Sequence, residues 1–291
     1  MANRYHVRSI SFPSRSHPST VRVEEQLNKL KTWEAASNTS ASVLKGLSGL
    51  EELYECVDDL LNMGSTQQVL SKNQHEKCLE DLLDGSLRLL DICGITRDVL
   101  LQTKEHVRAL QSALRRRKGD STMETSITGY ICFRKKMKKE VKKLTTALKQ
   151  VDKKFEASLP SVEKDHDRDH HLYAVMRVLT QVCAMNSSNF QSLLVFLTAP
   201  SSKPKSSRWS LVSKLVHKGT IACEEKQDCV NELDSVDAAL STLCPDAEKI
   251  QTAQKRLEAL EISIDGLENA LESMFRRLIK TRTSLLNIIS Q

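Results

Sequence analysis

Apolar residues recur at alternating spacings of three and four along most of this chain, which is the pattern of helices that bury one face. The pattern begins near residue 21 and predicts a helix over 40–62. It predicts a second helix over 66–118, bent near Gly94, and a third that carries Tyr130 to Phe155 and ends before Pro160. A fourth helix is predicted over 169–198, and shorter helices lead to residue 243.

The longest apolar seam lies in the last helix, which Pro245 is well placed to begin. Its members are Ile250, Ala253, Leu257, Leu260, Ile264, Leu267, Leu271, Met274, Leu278, Thr281, Leu285 and Ile288. The seam is about 58 Å long and must be buried, because each fully buried leucine contributes roughly 1.5–3 kcal/mol. A second copy of the chain or another of its own helices could cover this seam. We favour its own helices, since apolar helices are plentiful upstream.

These patterns predict an all-α protein, an elongated helical bundle with a long C-terminal coiled-coil-like helix. Residues 1–23 form a flexible basic arm rich in serine and arginine, and residues 24–199 form the bundle. Residues 200–207, rich in proline, serine and lysine, form a linker or loop. Residues 208–291 then supply C-terminal helices that pack on the bundle.

Composition narrows the class of protein further. The 291 residues include 9 glycines, 6 prolines and 4% aromatics, which disfavours sandwiches, barrels and propellers. The net charge of +6 is too small for a chain that coats nucleic acid. No apolar run is long enough to span a membrane, and no secretory signal begins the chain. The eight cysteines form no CxxC pair, so we expect reduced thiols in a cytoplasmic protein.

Several long blocks of sequence resemble the plant-specific family called domain of unknown function 241, which is grouped with the BYPASS proteins. The blocks span 5–13, 27–33, 53–61, 83–91, 111–119, 133–139 and 275–282. The resemblance covers essentially the whole chain, in order. It implies an all-helical intracellular protein with a role in root and shoot development and no established biochemical activity. The family supplies no catalytic or binding residues.

The arm holds the most specific short motif. Arg8, Ser11 and Pro13 fit the pattern Arg-Ser-x-Ser-x-Pro, in which a basophilic kinase would phosphorylate Ser11. A 14-3-3-type adaptor is the partner that this motif predicts, because its arginine cluster binds phosphoserine. An unmodified flexible arm is the simpler alternative. The absence of acids in the arm is also compatible with a transit peptide, although the family blocks already begin at Tyr5.

A second candidate site is the basic surface of the third helix, between residues 134 and 154. It consists of Arg134, Lys135, Lys136, Lys138, Lys139, Lys142 and Lys143, with further lysines beyond them. This surface is either a solvated helix face or a contact with anionic lipid, where each cation contributes about 1 kcal/mol. Nucleic acid is an unlikely ligand, because both phenylalanines of the segment lie on the apolar stripe.

Neither a metal, a cofactor nor catalysis is predicted. The acids and histidines of 165–171 are better explained as the N-terminal cap of the following helix than as metal ligands. Gly-rich phosphate loops, nucleophile elbows and zinc-protease motifs are absent from the sequence. The sequence therefore predicts a non-enzymatic intracellular scaffold or regulatory protein that acts through protein partners. The alternative is a peripheral membrane or trafficking component that binds anionic lipid through its basic helix.

Overall fold

The computed structural model describes residues 18–32, 39–116, 120–158, 170–198, 231–243 and 246–291. Within these ranges the chain forms α-helices and no strands, which confirms the predicted all-α class. The helices are α1 (Val21–Thr32), α2 (Ser40–Asn62), α3 (Gly64–Lys72), α4 (Lys77–Arg116), α5 (Asp120–Ser158), α6 (His170–Thr198), α7 (Glu232–Ser241) and α8 (Ala247–Ile289).

Three helices begin at a polar side chain that caps free backbone N–H groups. Thr39 accepts a hydrogen bond from the Ser42 amide at the start of α2, and Asp246 accepts one from the Glu248 amide at the start of α8. Asn231 accepts from two amides at the start of α7, and its own Nδ2 donates to the Phe196 carbonyl at 2.8 Å. Asn231 thus connects the first turn of α7 to the last turn of α6.

The predicted helix over 66–118 is wrong as a single element, because α3 and α4 are separate. Asn73 ends α3: its amide donates to the Leu70 carbonyl at 3.2 Å, and its Nδ2 donates to the Val69 carbonyl at 2.8 Å. The physical reason lies in residues 71–77, which are all polar. Without an apolar side chain to bury, a helix has little reason to continue through them. Gly94, the predicted bend, lies within the continuous α4.

In the part of the chain that the structure describes, the helices share an apolar core, to which each of them contributes buried side chains. Helix α8 packs against α2, α4 and α7. All members of its predicted seam are buried except Ile250 and Thr281, which are partly exposed. The seam is therefore covered by helices of its own chain, as favoured from the sequence.

Helices α4 and α5 form an antiparallel pair whose register is fixed at both ends. At one end, Gly85 of α4 leaves no room for a β-carbon beside the Phe155 ring, so the backbones approach closely. At the other end, the ring of His106 stacks on Phe133 with centroids 4.3 Å apart. Counting heptads between these points places Asp91, Asp98 and Glu105 level with lysines 149, 142 and 135, respectively.

Candidate functional site

The outer side of α5 carries a row of lysines. Its members are spaced three, four or seven residues apart and lie opposite the buried stripe of the helix. We call Lys135, Lys139, Lys142, Lys149 and Lys153 the lysine row. All five are exposed, and none has an ion-pair partner among the described residues. The row is about 27 Å long, and it suits recognition of an extended anionic surface.

The other predicted members of the basic surface divide into two groups. Lys136 and Lys143 are exposed at the edge of the row, and Lys143 Nζ lies 2.9 Å from Glu140 Oε2. Lys138 is partly buried. The prediction that Arg134 belongs to this surface is wrong, since Arg134 is 4% exposed. These positions show that a cluster of cations in the sequence serves both the surface and the interior.

Arg134 is a buried connector between three helices. Its Nη2 lies 2.9 Å from Asp237 Oδ2 of α7, and its Nη1 donates to the Leu197 carbonyl of α6 at 2.9 Å. Tyr130 Oη donates to the same carboxylate at 2.8 Å, and burial raises the pKa of Tyr130. Burial also raises the pKa of Asp234, one turn before Asp237. The sequence offers one sign of this role, because Arg134 follows Phe133 on the apolar side of the helix.

The outer side of α4 carries the opposite charge. Asp84, Asp91, Asp98 and Glu105 recur every seven residues and are all exposed; we call them the acidic row. Asp84 contacts Lys154 Nζ at 2.7 Å, whereas the other three have no ion-pair partner among the described residues. The sequence analysis does not predict this row, although the seven-residue spacing of its acids is visible in the sequence.

Helix α8 pairs its charges with neighbouring helices. Lys104 Nζ of α4 lies 2.7 Å from Asp265 Oδ1 and 2.8 Å from Glu268 Oε2, and these hydrogen bonds raise the pKa of Lys104. On the other flank, Lys280 Nζ lies 2.6 Å from Asp58 Oδ2 of α2. Similar pairs join Arg97 to Glu272, Arg108 to Glu261 and Arg277 to Glu55. The charged surface of α8 is thus largely neutralised within the chain.

An open groove of about 420 Å³ lies where the end of α4 meets α8. It is lined by Arg108, Gln111, Ser112, Arg115, Arg116 and Glu261. Glu261 accepts from Arg108 Nε at 2.6 Å and from Gln111 Nε2 at 2.9 Å, and these bonds lower the pKa of its carboxyl group. Arg115 and Arg116 have no acidic partner in the described ranges, so the groove has excess positive charge.

A small cavity and several buried side chains of low reactivity lie among the described helices. One cavity of about 30 Å³, lined mainly by apolar side chains of α2, α4, α6 and α8, is about the size of one water molecule. Beside it, Tyr54 Oη accepts a hydrogen bond from Asn186 Nδ2 at 2.7 Å, and burial raises the pKa of that tyrosine well above its usual value. Burial also raises the pKa of Cys93 and of Cys183 to about 12, so both remain thiols near neutral pH.

Several predicted sites lie outside the described residues. These include Arg8, Ser11 and Pro13 of the arm, most of the 165–171 segment and the 200–207 linker. In the described parts of the chain, no three His, Cys, Asp or Glu side chains group closely enough to hold a metal ion. The helices of those parts include none that is both long and apolar enough to cross a bilayer.

Comparison with known proteins identifies the family. No curated protein and no solved structure matches the chain. The family model described as Protein BPS1 matches residues 46–288. This match runs from α2 to the last turn of α8, and it contains most of the blocks on which the resemblance rests. The chain therefore belongs to the BPS1 family, the BYPASS-related family of plant proteins.

Proposed function

We propose that this protein is a non-enzymatic regulatory scaffold that acts in plant root and shoot development. Membership of the BPS1 family indicates a developmental regulatory role in plants. The scaffold mechanism is our inference from the arrangement of the molecule. One apolar core joins the helices of the described residues, and two long helices carry charged rows on their outer sides.

The lysine row is the observation that carries this proposal. Charged side chains that face solvent on a well-packed helix reduce the stability of the fold only slightly. They also remain available to a partner. Many charges of α8, in contrast, form ion pairs with neighbouring helices of the same chain. A helix face that carries five exposed lysines, none with an acidic partner among the residues that the structure describes, supports recognition rather than chemistry.

Complementation in plants that lack the endogenous protein would test this function. The test variant changes Lys139, Lys142 and Lys149 to Gln, which should leave the fold intact and abolish or weaken rescue of root and shoot growth. The control variant changes Lys72, Lys77 and Lys255 to Gln. It loses the same charge from exposed positions outside the row and should rescue fully. Equal rescue by both variants at equal protein levels would contradict a role for the row.

The second candidate function is peripheral attachment to membranes. The one-sided arrangement of the lysine row favours it, because several lysines on one face attract an anionic bilayer by about 1 kcal/mol each. Co-sedimentation with phosphatidylserine vesicles would test it, using the same two triple variants. Salt-sensitive binding that the row variant loses and the control keeps would support this function. Equal binding by the two variants would contradict attachment to membranes through the lysine row.

Regulation through the arm is a separate part of the proposal. A phosphate on Ser11, with Arg8 and Pro13 nearby, would create a ligand for a 14-3-3-type adaptor. A peptide of residues 4–18 phosphorylated at Ser11 should bind such an adaptor far more tightly than the unmodified peptide. If the two peptides bind equally, the arm has no such role.

A further inference from the structure

The acidic row of α4 and the lysine row of α5 are opposite in charge and similar in length, and Lys135, Lys142 and Lys149 have the same seven-residue spacing as the acids. Each recurs at heptad positions on the side of its helix that faces away from the core. The acidic row is about 31 Å long and the lysine row about 27 Å. Most members of both rows have no ion-pair partner in the described ranges. Two complementary surfaces are therefore available on one molecule.

The register of α4 and α5 places the two rows side by side at equal heights. Asp91 lies level with Lys149, Asp98 with Lys142 and Glu105 with Lys135. Yet each row points away from the core of its own bundle rather than at its neighbour. Among the described residues, Asp84 is the row member that forms an ion pair, and its partner Lys154 lies outside the lysine row. The remaining charges can be satisfied by a second molecule.

We propose that two copies of this chain associate through these rows, with the acidic row of each copy facing the lysine row of the other. A two-fold axis parallel to the helices produces this arrangement. Rotation about that axis does not change the position of any residue along the axis. It places α4 of one copy against α5 of the other. Because opposite charges are already level within one chain, the rotation sets Asp91 against Lys149 and Asp98 against Lys142 across the interface.

Apolar side chains add to the acidic row as part of this surface. Leu87 and Leu101 are 44% and 46% exposed and lie on the same side of α4 as the acids. Exposed leucines flanked by acids suit a partner that offers long aliphatic stems with a positive end, as lysine does. The seam of α8 is not available for association, because helices of its own chain cover it. Self-association is therefore assigned to α4 and α5.

Sedimentation velocity of charge-reversed variants tests this inference. The first variant changes Lys142 and Lys149 to Glu, and the second changes Asp91 and Asp98 to Lys. The wild type should shift from monomer to dimer with increasing concentration at low salt, and high salt should weaken the dimer. Each variant alone should associate at least about tenfold more weakly, because like charges then face each other. An equimolar mixture of the two variants should restore the dimer, as should a single chain carrying all four changes.

Circular dichroism and thermal midpoints would confirm that each variant is folded. If a reversed variant does not fold, the neutral variant with Lys142 and Lys149 changed to Gln replaces it and should also weaken the dimer. A wild type that stays monomeric at all concentrations would overturn the proposal. So would folded variants whose mixture fails to restore association. A monomer whose lysine row binds anionic vesicles would assign the row to lipid instead. None of these results bears on developmental rescue, which is measured separately.

Discussion

Helices α5 and α8 have similar lengths, 39 and 43 residues, and each buries one heptad stripe, but they treat their charges in opposite ways. Helix α8 lies between α2 and α4 and forms ion pairs with both. Helix α5 places one arginine in the interior and leaves a row of lysines on the outside without partners in the described ranges. The comparison separates charges that hold the bundle together from charges that are available to other molecules.

The largest expected effect concerns the buried charge of α5. Changing Arg134 to Met leaves the Asp237 carboxylate without its cation and the Leu197 carbonyl without its donor. We expect a loss of about 3 kcal/mol or more in the free energy of unfolding, measured by urea denaturation. A double variant with Asp237 also changed to Leu should recover much of that loss. Equal stability of the single variant and wild type would show that Arg134 behaves like the surface lysines.

The next effect concerns the buried stripe of α8. Leu267 is fully buried, and its change to Ala removes apolar contacts and leaves a cavity. We expect a loss of about 2–5 kcal/mol in the free energy of unfolding. Leu148 of α5 is buried to a similar extent and is the matched position. Changing Leu148 to Ala should lower the free energy of unfolding by a similar amount. If only the α8 change were costly, the two stripes would not be equivalent.

Smaller effects should distinguish paired lysines from unpaired ones. Changing Lys104 to Gln breaks its contacts with Asp265 and Glu268 and should cost up to about 1 kcal/mol of stability. At protein concentrations low enough to keep the chain monomeric, changing Lys142 to Gln on the outer side of α5 should leave the thermal midpoint unchanged, since it has no such partner in the described ranges. A destabilised Lys142 variant would reveal an intramolecular role for the row.

The smallest expected effect is a pH dependence of the folding stability, which arises where α4 packs against α5. Burial against Phe133 lowers the pKa of His106 below its ordinary value of 6.5, so the folded state favours the neutral ring. The stability from this ring is fully present above about pH 6.5 and is lost as the pH falls, because the unfolded chain binds the proton first. Thermal midpoints between about pH 8 and pH 5 should fall more steeply in wild type than in a His106→Gln variant. Parallel curves for the two proteins would contradict this.

Much of the fold could be predicted from the sequence because local pattern determines it. The bounds of α2 were predicted as observed, and the seam of α8 was identified residue by residue. The single helix predicted over 66–118 is wrong because residues 71–77 are all polar and have no apolar side chain to bury in the core. Asn73 ends α3 there, because its backbone amide and its side chain both donate hydrogen bonds to carbonyl groups of the last turn. Such capping competes with helix propagation, and periodicity does not report it.

The sequence by itself determined that this chain is helical, which residues of each helix face the core and that the segment at 134–154 is strongly basic. The tertiary structure decided which cations serve the interior and which face outwards. Arg134 and Lys135 are adjacent in the chain, yet one is bound to Asp237 and the other is exposed. The tertiary structure also brought the acidic and lysine rows level. Charge interactions fall off within about 10 Å, so they depend on which helices become neighbours, and sequence periodicity carries no information about that.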